Sequence, residues 1–186
     1  MTDPFLSLLL SKNLVLLSAF IDNGDLVLRV DRKNFKNLMR TLRIDPELDF
    51  SYFVYVTAVD WLDARQNRFE LVYELMNVSA FRRLRIFVEL PEDQPEIESC
   101  VDLWLGANFM EREVWDMFGI KFIGHPDLRR ILMYPEFVGH PLRKDYPVQG
   151  KQPRIKLRYP EVRNTAVDMK RPPLVKINRQ SRNRES

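Results

Sequence analysis

The sequence predicts an α+β fold: a single domain with a mixed sheet of about five strands packed by helices, followed by a long non-regular C-terminal arm. Three observations lead there. Apolar residues alternate with polar ones through successive segments between Tyr52 and Leu90. Helical spacing appears twice, once before those segments and once after them. Beyond Lys151 periodicity is lost among Pro153, Pro160, Pro172 and Pro173.

Asn13 to Ile21 is an apolar run of strand character. Asp22-Asn23-Gly24-Asp25 is a turn signal, and Leu26 to Val30 alternates after it, so the pair reads as a hairpin. Asp31 suits an N-cap, and Phe35, Leu38, Met39 and Leu42 then fall on one helical face. Pro46 biases Asp45 away from the helical region and ends that helix. Tyr52 to Val59 is rich in aromatic and β-branched residues, as a strand requires. Arg68 to Leu75 places Phe69, Leu71, Tyr73 and Leu75 on one face, and Leu84, Ile86, Val88 and Leu90 repeat the pattern. Pro91 to Pro95 is a break. A helix is predicted from Glu96 or Ser99 to Phe118, with Ile97, Val101, Trp104 and Leu105 facing inward, Gly106 as a bend and Gly119 as the left-handed stop. Loops dominate from there to Pro147. Residues 1–150 form the predicted body and 151–186 a basic extended tail.

Composition narrows the function. The 186 residues carry a net charge of +3, distributed unevenly. From Lys151 onward there are eleven Lys/Arg and three acids, whereas residues 1–150 hold 18 basic and 23 acidic residues. A mildly acidic body with a basic arm lacks the basic face of a nucleic-acid domain. One cysteine, Cys100, read as a packed thiol in the predicted helix, cannot supply the four thiolates of an iron–sulfur cluster. No stretch approaches the roughly 18 apolar residues of a membrane span, and the N-terminus has neither a basic secretory n-region nor transit-peptide character. With six glycines and no Gly-rich phosphate loop, nothing marks a nucleotide site, and no serine sits in a nucleophile elbow.

The densest chemistry lies between Glu111 and Pro147. Glu111-Arg112-Glu113 is followed by Asp116-Met117-Phe118-Gly119-Ile120, then His125-Pro126-Asp127-Leu128-Arg129-Arg130-Ile131-Leu132, then Gly139-His140-Pro141-Leu142-Arg143-Lys144-Asp145-Tyr146-Pro147. Both histidines of the protein stand in Gly-His-Pro triplets, where glycine opens backbone angles and proline restricts them. Arg112 and Asp116 are spaced to share a helix face. Acids near a helix C-terminus oppose its dipole, so Arg129, Arg130, Arg143 or Lys144 are candidates to compensate them. Such a network serves either to meet a partner or to staple the loops to the helix. Two histidines fifteen residues apart, without cysteines, are a weak zinc pattern even with Asp127 or Glu136, and hydrogen bonding that fixes the loops or meets a partner suits them better than metal or proton carriage. Trp104, Phe109, Trp115 and Phe118 read as a packing cluster, with Trp115 beside Arg112 a candidate contact.

These motifs, with Val59-Asp60 and Arg68-Phe69-Glu70-Leu71-Val72-Tyr73 upstream, resemble the 30-kDa subunit family of respiratory complex I, the NADH–quinone oxidoreductase, over roughly residues 14 to 150. The resemblance implies a structural subunit of the peripheral, quinone-module arm of a proton-translocating complex. NADH, FMN, iron–sulfur clusters and quinone would sit on other subunits, with no cofactor, metal or catalytic residue on this chain. Its neighbours would be the 49-kDa-like subunit and the subunit that holds the terminal iron–sulfur cluster. The place implied is the cytoplasmic face of a bacterial inner membrane, or the matrix or stroma side if organelle-encoded. Glu111, Arg112, Glu113, Asp116, His125, Arg129, Arg130, His140, Arg143, Lys144 and Asp145 are the residues assigned to a partner interface. The alternatives are the equivalent subunit of a membrane-bound hydrogenase or another donor:quinone oxidoreductase, and a free-standing module whose basic arm binds RNA or an anionic surface.

Overall fold

A computed structural model describes residues 4–12, 14–149 and 152–153. The basic tail expected from 151 onward lies outside them, apart from Gln152 and Pro153.

The sheet is mixed and five-stranded, in the order β1-β2-β5-β4-β3. β1 (Ser18–Asp22) and β2 (Asp25–Arg29) form the expected hairpin, turning at Asn23 and Gly24, which both take positive φ. β2 then pairs in parallel with β5 (Arg82–Leu90). β4 (Phe69–Asn77) runs antiparallel between β5 and β3 (Tyr52–Asp60), with a bulge between Phe53 and Tyr55. α2 (Arg32–Ile44) starts at Asp31, whose carboxylate accepts from the Lys33 amide at 2.8 Å, and buries Phe35, Leu38, Met39 and Leu42. Phe35 meets Tyr73 of the central strand at 4.8 Å between ring centroids.

β4 is buried on both faces, not one. The inner face, Phe69, Leu71, Tyr73 and Leu75, packs in the core as the alternation requires. On the other face Glu70 and Glu74 are shielded by the cations they bind, Arg29 and Arg65 for Glu70, Arg85 and Arg83 for Glu74. Long side chains roof this face, which a polarity pattern counts as open.

Five elements differ from the sequence reading. A short helix, α1 (Pro4–Ser11), precedes the sheet, where Leu9 is buried and Phe5 meets Phe50 edge-on at 5.7 Å. The first strand begins at Ser18, with Leu14 to Leu17 ahead of it and Asn13 outside the described residues. The long helix starts only at Ala107: α3 is Ala107–Phe118, with Gly106 as its N-cap instead of a bend. Residues Glu96–Glu98 form β6, which pairs in parallel with β7 (Lys121–Ile123). Ile97, Val101 and Trp104 are buried as expected, but from a strand and turns. Cys100 is buried there too, outside any helix, and Leu105 points outward at 84% exposure.

The C-terminus of α3 behaves as expected. Gly119 takes φ +76° and returns its amide to the Trp115 carbonyl at 2.8 Å. A Cβ there would come within 2.6 Å of the His140 ring and 2.7 Å of the Arg143 guanidinium, so close approach adds to the backbone demand.

Candidate functional site

The loop segment after β7 is pinned to α3 and to the β3–β4 hairpin by three anchors. Asp116 makes the first. It is fully buried, and its Oδ2 accepts the successive amides of Ile131, Leu132 and Met133 at 3.0, 2.9 and 2.8 Å. Arg130 donates to its Oδ1 at 2.5 Å and to the carbonyls of Phe137 and Gly139 at 2.9 Å each. Burial alone would raise the Asp116 carboxyl; the three amides and Arg130 outweigh it and hold the group below the usual range. Arg112, one turn back on the helix, donates to the carbonyls of Arg129 and Arg130 at 3.1 and 3.2 Å. The i, i+4 pair expected between Arg112 and Asp116 is replaced: the two grip the same loop side by side.

The second anchor is His140. Its Nδ1–H donates to the Asp116 carbonyl at 3.0 Å, since a carbonyl can only accept, and its ring meets Trp115 edge-on. Burial lowers its pKa, and Arg143 and Arg130 add to that. Arg143 donates to the Phe118 carbonyl at 2.5 Å, closing the helix end, and lies 5.1 Å over the Phe69 ring. His125 is likewise held, donating through Nε2 to the Asn108 carbonyl at 3.2 Å and accepting from the Asp127 amide at 3.0 Å. Both Gly-His-Pro glycines take positive φ, 81° at Gly124 and 91° at Gly139.

The third anchor joins Lys144 and Asp145, assigned from sequence, to Asp60 and Arg68, which belong to the resemblance but were not assigned to the site. Arg68 binds Asp60 with Nε and Nη2 at 3.0 and 2.9 Å, and the same Nη2 reaches Asp145 at 2.9 Å. The Lys144 amide donates to Asp60 at 2.9 Å. Burial pushes the Asp60 carboxyl up, but Arg68 and the amides of Lys144 and Leu62 bring it down to about 2. Opposite charges on the two sides of the turn between β3 and β4 were the available signal.

Of the eleven assigned residues, Glu111 and Asp116 are fully buried, and Arg112, Arg130, His140 and Arg143 are spent on internal partners. His125 and Asp145 are held by internal contacts, and Lys144 by its amide. Glu113 and Arg129 face outward, Arg129 pairing with Asp127 at 2.8 Å. The aromatic cluster divides: Trp104 and Phe118 are buried, Trp115 is half-buried, and Phe109 is 63% exposed. A groove of about 410 Å³ lined by Trp115, Leu128, Arg129, Arg130 and Pro135 lies on the outer side of the clamp. Ile131 and the exposed Leu132 follow in the same loop, and Arg112 links Arg129 to Phe109. Among the described residues no group of His, Cys, Asp or Glu is placed to hold a metal ion, and no helix is long and apolar enough to cross a membrane.

The fold and site define a mixed α+β domain with a charged loop clamp and apolar side chains left outward beside it. The family described as "Respiratory-chain NADH dehydrogenase, 30 Kd subunit" matches residues 28–152. An NADH-quinone oxidoreductase subunit of Trichlorobacter lovleyi is 45% identical over 129 residues, 69% of this chain and 78% of that protein. Among solved structures, a trypsin-resistant fragment (1-134) of Nqo5 is similar with a TM-score of 0.56 and 33% identity, covering 66% of this chain and 96% of the fragment. A chain of the membrane-bound sulfane sulfur reductase, an archaeal respiratory membrane complex, gives a TM-score of 0.66 at 26% identity, covering 77% of this chain and 84% of that one. The chain belongs to the 30-kDa subunit family of respiratory-chain NADH dehydrogenase.

Proposed function

We propose that this chain is a structural subunit of the peripheral, quinone-module arm of a proton-translocating NADH–quinone oxidoreductase, holding no redox centre itself. The observation that carries this reading is the division of labour in the 111–149 segment. Most of its charged residues are consumed in holding the loops, while Ile131 and Leu132 are left outward, as is Phe109 just before the segment, and Arg129 lines a groove. A rigid apolar surface rimmed by charge suits docking on a larger subunit. One buried cysteine supports a role without an iron–sulfur cluster. The partners proposed are the 49-kDa-like subunit and the subunit with the terminal iron–sulfur cluster. NADH, FMN, clusters and quinone then reside on other subunits, on the cytoplasmic side of a bacterial membrane or its organelle equivalent. Electron transfer depends on this chain through the shape it gives the quinone module.

The likeness to a sulfane sulfur reductase chain favours a second reading, the same docking role in a complex with another electron donor. Affinity capture of the tagged chain from gently solubilised membranes, with mass spectrometry of what accompanies it, separates the two. Recovery of flavin, iron–sulfur and proton-channel subunits is the expected result. Recovery of a different donor module moves the chain to the second reading, and recovery alone, or with RNA, overturns both.

A further inference from the structure

Glu111 takes no part in the clamp. Its side chain is fully buried at the joint between β6 and α3, accepting from Ser99 Oγ at 2.6 Å and from the Cys100 amide at 2.7 Å. The charged and titratable groups around it come from three elements. Lys36 reaches in from α2, but its ammonium is engaged by the Ser99 carbonyl at 2.5 Å and by Asp102. Cys100 and Asp102 lie on the connection leading to α3, and Glu98 on β6 adds negative charge beside Cys100. Tyr73 comes from β4, its hydroxyl fully buried and without a hydrogen-bond partner. Among the described residues Glu111 has no ion-pair partner, although a buried carboxylate ordinarily requires one. The neutral acid fits the site better. It keeps the Cys100 amide on Oε1 and donates its own proton to Ser99 Oγ.

A route for that proton is present. A cleft of about 440 Å³ lined by Lys36, Glu98, Ser99, Asp102, Ile123 and Gly124 reaches the other side of Ser99. We propose that Glu111 is a proton-binding site that operates the β6–α3 joint: the neutral acid locks the joint, and proton release through Ser99 loosens it. On release Glu111 Oε2 passes its proton to Ser99 Oγ as the Ser99 proton leaves to water in the cleft; uptake is the reverse. The ionised form leaves an unpaired buried charge between β6 and α3, beside a phenol with no acceptor. Burial, the largest influence, pushes Glu111 up to about 7 against the downward pull of Ser99 and Cys100, which places the exchange near neutrality. Because the folded value lies above the ordinary one, stability is highest where the group is protonated in both states. It falls as pH rises from about 4.5 to about 7 and is level above that.

The test is a titration of the full chain with carbon-labelled carboxyls, read by nuclear magnetic resonance with sequence-specific assignment, beside amide exchange at Cys100. Glu111 is expected to titrate near neutrality, and protection of the Cys100 amide to fall at least about tenfold between about pH 5 and about pH 8. In Glu111→Gln, which copies the neutral acid, that fall is expected to vanish. Titration of Glu111 with the ordinary carboxylates, or the same protection profile in both proteins, overturns the proposal. If Glu111→Gln does not fold, the assigned titration of the unsubstituted chain decides by itself.

Discussion

Glu111 and Asp116 are carboxylates on the same helix, both shut off from solvent, and their pKa values move in opposite directions. Burial penalises both. Asp116 faces three consecutive backbone amides and a guanidinium; Glu111 faces one amide and one hydroxyl. Glu111 lies deeper and has fewer donors, so burial prevails there, whereas at Asp116 the donors prevail. The last turn of α3 is an ionic anchor for the loops, and Glu111, nearer its start, is the group proposed to exchange its proton near neutrality.

The largest expected effect comes from removing the cation at the anchored end. Arg130→Met leaves Asp116 buried without its ion pair and frees the carbonyls of Phe137 and Gly139. A loss of about 3–5 kcal/mol in denaturant unfolding is expected, since breaking one partner of a buried pair strands the other. A loss under about 1 kcal/mol would mean that the three amides alone hold the charge.

Glu111→Gln should change stability with the opposite sign. Above neutrality it is expected to stabilise the chain by up to about 3 kcal/mol, the equivalent of moving a carboxyl from 4.5 to about 7. Below about pH 4.5 the gain should disappear, because the wild-type group is protonated whether folded or not. Thermal unfolding of both proteins across pH checks it; a constant difference between them would remove the contrast between the two ends.

Acid sharpens the comparison on a smaller scale. Asp60 is held at about 2 by Arg68 and two amides, below its ordinary 3.8. Its contribution is complete above the ordinary value and is lost as pH falls through about 2, a change of about 2 kcal/mol. Asp116 shifts in the same direction. Arg68→Met should flatten this acid limb while leaving the Glu111 limb near neutrality unchanged.

Most of the sheet was legible because its signals are local: Asn-Gly in the β1–β2 turn, alternation through β4 and β5, Asp31 before α2. The β6–β7 pair was not, since its three-residue strands are joined by contacts more than twenty residues apart. Ile97, Val101 and Trp104 satisfy helical spacing equally well as a strand followed by turns, and Gly106 provides no side-chain cap to mark where α3 begins. In the site, the charged residues were visible but their partners were not. Asp116 is bound by backbone amides, and Glu111 by Ser99 and Cys100, none of which carries a charge pattern to read. Asp60 and Arg68 belong to the resemblance but were not assigned to the site, because their pairing depends on the hairpin that brings them together.

The smallest effect on folding should come from the residue with the largest proposed part in docking. Phe109 lies on α3 between Glu111 and the N-cap, yet it is 63% exposed, and the Arg112 guanidinium of the clamp sits 5.8 Å from its ring. Phe109→Ala removes little buried apolar surface, so the isolated chain should keep its stability within about 0.5 kcal/mol. A large aromatic at the centre of a docked surface typically costs about 2 kcal/mol or more in binding when truncated. The recovery of partner subunits by affinity capture should therefore fall sharply while unfolding is unchanged. Arg130→Met weakens folding and capture together, because the rim depends on the clamp. Unchanged capture in Phe109→Ala would move the docking surface away from this face of α3, leaving the clamp as an internal fastening of the fold.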